Sequence, residues 1–245
     1  MYFRQEAEGQ MEIIREGRYE IPVLLEDNHL LVVVKPPNLP VQPDISGDRD
    51  LYTALKDYIA RKYNKPGNVF LGLVHRLDRP TGGVMVFART SKAASRLSAQ
   101  FASHTADKRY YAVLQGEMRA DARMEDLLLP DEGTGSMKVV PADEPGAKKC
   151  ALTSRPICVR DGLTLTEVEL ETGRKHQIRV QHAHAGFPLW GDARYGGGQP
   201  GMQIALWAHS LSFDHPTLKT RVTLTCPPPN EGVWRAFEAE LSARD

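Results

Sequence analysis

One acidic side chain, Asp78, lies among basic residues in the stretch VHRLDRPTGGVMVFAR, which covers residues 74–89. An apolar run typical of a strand follows the proline and the two glycines. A carboxylate at such a junction can be held rigidly, and nearby arginines favour its ionised form, which is reactive as a nucleophile or a base. The same residues also fit a simple turn in which Asp78 accepts local backbone hydrogen bonds. Taken alone, the stretch leaves both interpretations open.

A second stretch, LETGRKHQIRVQHAHAGFPLWGDARYGG at residues 170–197, concentrates basic side chains. Its segment RKHQIRVQHAHA predicts a helix that ends at a glycine and a proline. Arg174, Lys175 and Arg179 then lie in the first turns, where the helix dipole disfavours cations. We expect compensating anions: a carboxylate for one arginine and RNA phosphate for the others. A solvated basic face is the simpler alternative.

Apolar runs and helical patterns elsewhere indicate the elements that carry these two stretches. The predicted strands are the two halves of the hairpin IPVLLEDNHLLVVVKPP, then VMVFA, RYYAVLQG, LTLTEVELE and RVTLTCPPP. The predicted helices are DLYTALKDYIARKYN, SKAASRLSAQFASH capped by Ser91, and NEGVWRAFEAELSARD capped by Asn230. Residues 118–147 are acidic and rich in glycine and proline, which predicts a surface excursion with short strands. This order favours an α+β fold with a mixed, mostly antiparallel sheet flanked by helices.

The overall composition gives no global charge signal. The chain has 245 residues with 31 basic and 31 acidic side chains, so an anionic partner must be bound by a local patch. Its three cysteines form no CxxC pair, which is typical of reduced thiols in a cytoplasmic protein. No apolar run approaches the roughly 18 residues that a membrane span requires. We therefore expect a cytoplasmic protein that does not bind membranes.

Several motifs, in order along the chain, resemble the RluA family of pseudouridine synthases, which isomerise specific uridines in ribosomal or transfer RNA. HRLD-x-x-T-x-G, TGR-x-HQIRV and G-x-P-x-x-GD-x-x-YG carry the resemblance, together with DNHLLVVVKPPNLPVQPD, DKRYYAVLQG and LWAHSLSFDHP. The resemblance covers roughly residues 20–240. It implies the pseudouridine synthase fold with a central RNA-binding cleft in a catalytic domain at 21–245, after an N-terminal extension at 1–20. It also implies that the separate N-terminal RNA-binding module of many relatives is absent.

The resemblance assigns roles to individual residues. It implies that Asp78 is the catalytic aspartate, that Tyr110 is the active-site tyrosine, and that Arg179 pairs with the aspartate. Residues implied to bind or shape the RNA are His75, Arg76, Arg79, Thr81, Lys108, Arg174, His176 and Gln177. The chain departs from the family pattern at Val34, Gly82, Gln181 and Trp207. None of these departures affects the three catalytic positions, so we expect altered RNA contacts but the same chemistry.

The implied reaction explains these residue types. Isomerisation breaks the bond between ribose and uracil nitrogen 1 and rebonds the ring through carbon 5, so no atoms are gained or lost, and we expect neither cofactor nor metal. Asp78 can attack the ribose, attack the base or remove a ribose proton, and Arg179 is expected to hold its pKa down. The target base must leave its stack. The ring of Tyr110 can then stack on it, and the hydroxyl can assist a late proton transfer.

Two other classes of protein fit parts of the sequence. A catalytically inactive RNA-binding protein of the same fold is the alternative to an enzyme, although the catalytic positions are retained. A metal hydrolase is suggested by the histidines, but helical spacing puts His182 and His184 on different faces. The partner expected from the resemblance is a stem-loop of rRNA or tRNA, bound by a monomer.

Overall fold

The computed structural model describes residues 11–244 and contains both sheets and helices. The strands are β1 (Ile13–Glu16), β2 (Tyr19–Glu26), β3 (Leu30–Lys35), β4 (Gly72–Leu73), β5 (Gly82–Ala88), β6 (Asp107–Gln115), β7 (Ala122–Pro130), β8 (Met137–Val140), β9 (Lys148–Arg160), β10 (Leu163–Leu170), β11 (Leu206–Asp214) and β12 (Arg221–Thr225). The α-helices are α1 (Leu51–Lys62), α2 (Ser91–Ala102), α3 (Gln177–His184) and α4 (Glu238–Ser242), and a 3-10 helix covers Gly232–Phe237. The predicted α+β class is confirmed.

The chain divides into two compact units. The first contains residues 11–106 and Ser210–Cys226, and the second contains Asp107–His209 and residues 227–244. The domain bounds predicted from the sequence, 1–20 and 21–245, stay a prediction, and residues 1–10 and 245 lie outside the described residues. No helix within residues 11–244 is both long enough and apolar enough to cross a lipid bilayer.

The first unit contains an antiparallel sheet in the order β1-β2-β3-β5, and β4 also pairs with β5. The predicted hairpin is the β2–β3 pair. Its turn is stabilised by Asp27, whose carboxylate accepts hydrogen bonds from the backbone nitrogens of His29 at 2.6 Å and Leu30 at 2.7 Å. Every residue of β3 is buried, which agrees with its continuous apolar run.

Both helices of the first unit begin at side-chain caps. Asp50 caps α1 by accepting from the Thr53 nitrogen at 2.9 Å. Thr90 caps α2 by accepting from the Ala93 nitrogen at 3.2 Å, so the predicted cap, Ser91, is one residue late. The hydroxyl of Thr90 fulfils the same role as the serine hydroxyl, which explains the misplacement.

The second unit contains an antiparallel sheet in the order β6-β10-β9-β7-β8. The predicted surface excursion at 118–147 is more regular than expected, because it supplies all nine residues of β7 and pairs with β9. Leu128 is buried in β7, whereas Arg123 and Glu125 are exposed. The charged residues on the outer face of β7 hid its strand period from the sequence analysis.

The C-terminal segment also differs from the prediction. Instead of one helix capped by Asn230, the 3-10 helix leads into the short α4. The side-chain amide of Asn230 donates to the Glu238 carboxylate at 2.6 Å. The asparagine therefore bonds to a side chain eight residues ahead rather than capping the first turn.

Candidate active-site residues

Asp78 lies in a turn that immediately precedes β5. Its carbonyl accepts a hydrogen bond from the Thr81 nitrogen at 3.0 Å, which closes the turn. The carbonyl of the next residue, Arg79, accepts from the Asn38 nitrogen at 2.8 Å. Asp78 is partly exposed. The turn is thus attached to the segment after β3 and holds Asp78 at a position that is not fully buried.

A buried cation, Lys35, binds the backbone of this turn. Lys35 is the last residue of β3 and is fully buried. Its ammonium donates to the carbonyls of Pro36 at 3.0 Å, Arg79 at 2.9 Å and Thr81 at 2.7 Å. An ammonium has three donors, so all of them are used. Burial lowers the pKa of Lys35 to about 7, although the charge of Asp78 raises it.

Lys35 belongs to a motif seen in the sequence, but no role at the site was predicted for it. The detectable signal was a lysine that ends the apolar strand LLVVVK directly before two prolines. A charge in that position is rarely buried without a partner. What the residue types could not indicate was the partners themselves, because all three are backbone carbonyls.

His75 and Thr81, both predicted to shape or bind RNA, are directed into the protein. The Nε2 atom of His75 accepts from the Val86 nitrogen at 3.0 Å, and the ring stacks on Phe101 with centroids 4.6 Å apart. Thr81 is buried. These contacts give His75 the role of fixing the turn against β5 and α2, so any direct contact with RNA stays a prediction.

The two arginines of the motif differ in their surroundings. Arg76 is exposed, and within residues 11–244 its guanidinium forms no ion pair. Arg79 donates to Asp44 at 3.1 Å and to Ser46 at 2.9 Å, and it also pairs with Asp48. Arg76 is therefore available to an anionic ligand, whereas RNA phosphate would have to displace two carboxylates from Arg79.

In the second unit, β6 carries Tyr110 and Lys108 on the same face, because alternate residues of a strand share a face. Both side chains are buried. A Cβ atom added to Gly173 would lie 3.4 Å from the Lys108 ammonium, so this cation reaches the turn before α3. Burial lowers the pKa of Lys108. The neighbouring Tyr111 faces the other way and stacks on His209 with centroids 3.8 Å apart.

Gln177 stabilises the turn before α3. Its side-chain oxygen accepts from the hydroxyl of Thr172 at 2.8 Å and from the backbone nitrogen of Arg174 at 3.0 Å. Its side-chain nitrogen donates to the carbonyl of Ala151 at 3.0 Å. The amide is buried and bonded on both atoms, so it stabilises the turn, and the predicted contact of Gln177 with RNA stays a prediction.

The helix itself begins later than predicted. His176 has a left-handed backbone conformation with φ 54°, so α3 starts at Gln177. Arg174 and Lys175 therefore precede the helix, where they bond to the carbonyls of Lys149 at 3.1 Å and Gly135 at 2.8 Å. Both remain exposed. Because the left-handed residue His176 delays the start of α3, these two cations lie outside the helix, which reduces their unfavourable interaction with the helix dipole.

Arg179 is buried in α3 and forms an ion pair that was not foreseen. Its Nε donates to one carboxylate oxygen of Asp192 at 2.6 Å, and its Nη2 donates to the other oxygen at 2.8 Å. The guanidinium carbon lies 5.2 Å from the ring centroid of Tyr195. The pairing of Arg179 with Asp78 stays a prediction, and within its own unit Arg179 is held by Asp192.

The loop that carries Asp192 packs backbone against backbone. A Cβ atom added to Gly191 would overlap the carbonyl of Gln203, and one added to Gly197 would overlap the carbonyl of Leu189. Gly191 also has a positive φ of 78°, which side chains disfavour. These close approaches fix the backbone on both sides of the carboxylate.

Two of the histidines that suggested a metal site have structural partners. His182 is fully buried, and its ring nitrogens bond to the Ile178 carbonyl at 2.8 Å and the Ser154 hydroxyl at 3.0 Å. Burial lowers its pKa to about 4. His215 bonds through Nε2 to Asp27 at 2.7 Å. Hydrogen bonding therefore accounts for both side chains.

Sequence comparison finds one family and a set of similar proteins. The family model described as RNA pseudouridylate synthase matches residues 29–184. Ribosomal large subunit pseudouridine synthase D of Pseudomonas aeruginosa is 34% identical, with 94% of this chain and 74% of that protein covered. The protein of the same name from Zymomonas mobilis is 33% identical over 90% of this chain and 69% of its own. Uncharacterized RNA pseudouridine synthase YhcT of Bacillus subtilis is 32% identical over 92% and 74%.

Solved structures resemble the fold. The human protein RNA Pseudouridylate Synthase Domain Containing 4 superposes with a TM-score of 0.72 at 23% identity, covering 90% of this chain and 91% of that chain. Human RNA Pseudouridylate Synthase Domain Containing 1 gives a TM-score of 0.66 at 19% identity, with 94% of both chains covered. At these identities the likeness shows the fold alone.

Proposed function

The chain belongs to the RluA family of RNA pseudouridine synthases and isomerises uridine to pseudouridine in RNA, and we propose that its substrate is large-subunit ribosomal RNA and its catalytic carboxylate is Asp78. The observation that carries the assignment of Asp78 is the turn that presents it. Lys35 holds that turn through hydrogen bonds to the carbonyls of Arg79 and Thr81, while Asp78 remains partly exposed. Such a turn keeps a reactive group in a defined position before substrate binds.

The chemistry needs one carboxylate and conserves every atom. The bond between ribose carbon 1 and uracil nitrogen 1 breaks, the ring rotates, and carbon 5 bonds to the ribose while its proton is lost and nitrogen 1 gains one. We propose that ionised Asp78 drives the first step by acting on the ribose or the base, without cofactor or metal. No electrons enter or leave, which supports a cofactor-free reaction.

Arg179 and Tyr110 complete the proposed machinery. Arg179 carries a permanent charge that can keep Asp78 ionised during the reaction. Its rigid attachment to Asp192 supports this role, since an oriented cation loses little freedom when it acts. Tyr110 offers a ring on which a flipped base can stack and a hydroxyl for a proton transfer.

The RNA backbone is proposed to contact exposed cations. Arg76 in the first unit and Arg174 and Lys175 in the second are exposed side chains that can contact phosphate. Large-subunit rRNA, rather than tRNA, is supported by the names of the two synthase D relatives. We further propose that the protein works as a monomer in the cytoplasm, where ribosomal RNA is found.

The alternative of a catalytically inactive RNA-binding protein is not favoured. The curated relatives are named as synthases, and the three catalytic positions carry the residue types that the chemistry requires. An inactive protein would have to retain Asp78, Tyr110 and Arg179 without using them.

The deciding experiment is Asp78→Asn, assayed on unmodified large-subunit rRNA transcribed in vitro. We expect pseudouridine formation to fall by about 10⁴-fold or more, because the amide cannot act as a nucleophile or a base. RNA affinity and the melting temperature should stay near those of the wild type. Asp57→Asn, which alters an exposed carboxylate paired with Arg49, is the matched control and should retain full activity.

Retained turnover in Asp78→Asn would refute the catalytic assignment. Mapping pseudouridine in cellular RNA with and without the gene tests the substrate, and a site lost from tRNA instead of rRNA would refute the proposed rRNA substrate.

Excess chelator, added to RNA already folded with magnesium, should leave turnover unchanged. A loss that zinc alone restores would overturn the metal-free mechanism.

A further inference from the structure

A buried carboxylate in the second unit, Asp192, holds Arg179 but takes no direct part in the chemistry described so far. Asp192 is fully buried. It contacts both Nε and Nη2 of Arg179, at 2.6 and 2.8 Å, and the Arg179 side chain is only 6% exposed. The pair is therefore buried and bidentate, a geometry that fixes the plane of the guanidinium as well as its distance.

Stability alone does not explain such a pair. Desolvating two charges offsets much of their attraction, and apolar replacements are often as stable as a buried ion pair. What the bidentate geometry does provide is orientation. Because Asp192 occupies the edge of the guanidinium formed by Nε and Nη2, the Nη1 group of Arg179 must face away from it.

Asp192 is itself held rigidly. One of its carboxylate oxygens accepts from the Arg194 nitrogen at 3.2 Å, and its backbone carbonyl accepts from the nitrogens of Tyr195 at 3.2 Å and Gly197 at 2.9 Å. The ring of Tyr195 lies against the guanidinium, and its hydroxyl accepts from the Met137 nitrogen at 2.8 Å. A single short segment, residues 191–197, thus holds Arg179 by a carboxylate and an aromatic ring.

We propose that Asp192 is a positioning residue of the isomerisation: it orients the guanidinium of Arg179 toward the reacting groups and does not itself touch the RNA. The proposal rests on the function proposed above, in which Arg179 assists the catalytic carboxylate. Its consequence is that the reaction depends on a residue buried away from substrate. Without Asp192, Arg179 keeps its charge but not its orientation.

The main test is Asp192→Asn, assayed with unmodified large-subunit rRNA. The amide has nearly the same shape, but one of its two polar atoms is a donor and cannot accept from the guanidinium. We expect kcat to fall about 10²-fold, since displacement of a catalytic group by about 1 Å can cost that much. KM should change less than about threefold. Asp192→Glu keeps the charge and should recover part of the lost kcat.

A matched control separates orientation from stability. Glu26→Gln also neutralises a carboxylate on a side chain that is only 8% exposed, and this carboxylate pairs with Arg89 at 3.1 Å and with Lys62 at 2.8 Å in the first unit. All variants are assayed at a temperature where each remains folded by circular dichroism. We expect Glu26→Gln to lower the melting temperature while kcat stays within about twofold of wild type. If Asp192→Asn behaves in the same way as this control, the proposal is wrong.

Arg179→Lys distinguishes failure of this proposal from failure of the proposed function. If Asp192 acts through Arg179, adding Asp192→Asn to Arg179→Lys should lower kcat by less than about threefold further. Losses that multiply would overturn the positioning role. Full kcat in Arg179→Lys would instead refute the catalytic assignment of Arg179.

Nuclear magnetic resonance provides a readout that does not depend on activity. In the wild type, the Nε–H of Arg179 should exchange slowly with water, and rotation of the guanidinium should be restricted. Asp192→Asn should make both processes at least about tenfold faster, and Asp192→Glu should have a smaller effect. If the variants do not fold, fast rotation in the wild type would still refute the proposal, and restricted rotation would support it.

Discussion

Each of the two units buries a cation that belongs to the proposed machinery, but the two cations are held by different chemistry. In the first unit, Lys35 is surrounded by three neutral backbone carbonyls. In the second unit, Arg179 is paired with a full negative charge on Asp192. The first arrangement therefore leaves the cation electrostatically unfavourable, whereas the second neutralises it.

The two cations have different kinds of partner because their structural roles differ. Lys35 binds the carbonyl of Pro36, directly after β3, and two carbonyls of the Asp78 turn. It therefore fixes the path of the backbone, and the lysine can serve as a point charge with three donors. Arg179 is the group to be oriented, so it needs a planar partner that bonds two of its nitrogens. Because Lys35 is buried with only neutral hydrogen-bond partners, its pKa is lowered. Arg179 keeps a permanent charge.

The largest effect expected from this comparison is on stability, in Arg179→Ala. The variant leaves Asp192 buried without its counter-charge, which should lower the free energy of unfolding by about 3–5 kcal/mol. Chemical denaturation measures this directly. With Asp192→Asn already present, the same replacement should cost clearly less, because no uncompensated charge remains. Equal costs in both backgrounds would mean that the ion pair does not govern the burial of Arg179.

The same variant tests the pairing of Arg179 with Asp78 that the sequence predicts. Asp78→Asn alone should change stability little, since the amide can still form hydrogen bonds. If the two residues interact, Arg179→Ala should cost less stability in the Asp78→Asn background than in the wild type. Simple addition of the two effects would show that Asp78 and Arg179 do not interact, even though the family is established.

Tyr110→Phe extends the comparison to a proposed catalytic residue that is positioned by neither Lys35 nor Arg179. Tyr110 is placed by β6, where it lies opposite Val168 of β10, so the phenylalanine ring should occupy the same position. We expect kcat to fall about 10²-fold through loss of a proton-transfer group, with melting temperature and RNA affinity nearly unchanged. Equal losses in kcat and in RNA affinity would make the hydroxyl a binding contact instead.

Lys35→Met should have a smaller effect on stability than Arg179→Ala. Methionine removes a donor from three carbonyls, of which that of Arg79 keeps the Asn38 nitrogen. Each carbonyl left without a donor costs about 1–3 kcal/mol, but the substitution also removes a charge that was unfavourable to bury. We expect kcat to fall as well, because the Asp78 turn loses its support. Lys56→Met, which removes an exposed ammonium bonded to Asn68, is the control. Unchanged kcat in Lys35→Met would mean that the turn forms without the lysine.

The smallest effect is a dependence of stability on pH. The pKa of Lys35 is about 7 in the folded protein, below the roughly 10.4 of an unfolded chain. Between those values the unfolded state binds more protons, so the contribution of Lys35 to stability should rise as pH increases from 7 to 10. Urea unfolding of wild type and Lys35→Met at several pH values measures it. A difference that does not vary with pH would mean that Lys35 titrates normally.

Asp78 shifts the pKa of Lys35 in the direction opposite to the effect of burial. The charge of Asp78 raises the pKa of Lys35, so Asp78→Asn should lower that pKa further. Carbon-13 chemical shifts at the lysine Cε follow the titration in each variant. An unchanged or higher pKa in Asp78→Asn would mean that the two groups do not interact through their charges.

The sequence predicted elements with a clear period and residues inside recognisable motifs. The apolar runs predict the hairpin β2–β3, which the strand pairing confirms, and the motif HRLD points to Asp78, whose catalytic role stays a prediction. The role of Lys35 was missed because its partners are carbonyls, which every residue carries. Asp192 lies in the motif G-x-P-x-x-GD-x-x-YG, but its contact with Arg179 was missed because a contact between a helix and a loop thirteen residues apart leaves no periodic pattern. β7 was obscured by charged residues such as Arg123 and Glu125 on its outer face.

The glycine-lined loop around Asp192 constrains how the gene can change. Any missense mutation in the codons of Gly191 or Gly197 adds at least a Cβ atom, and that atom would overlap a neighbouring carbonyl. Neither carbonyl can retreat easily, because both belong to the backbone. These two codons should therefore tolerate almost no amino-acid replacement in a saturation library, although their residues perform no chemistry. Intolerance to mutation around the proposed catalytic centre should therefore extend to positions that lack side chains.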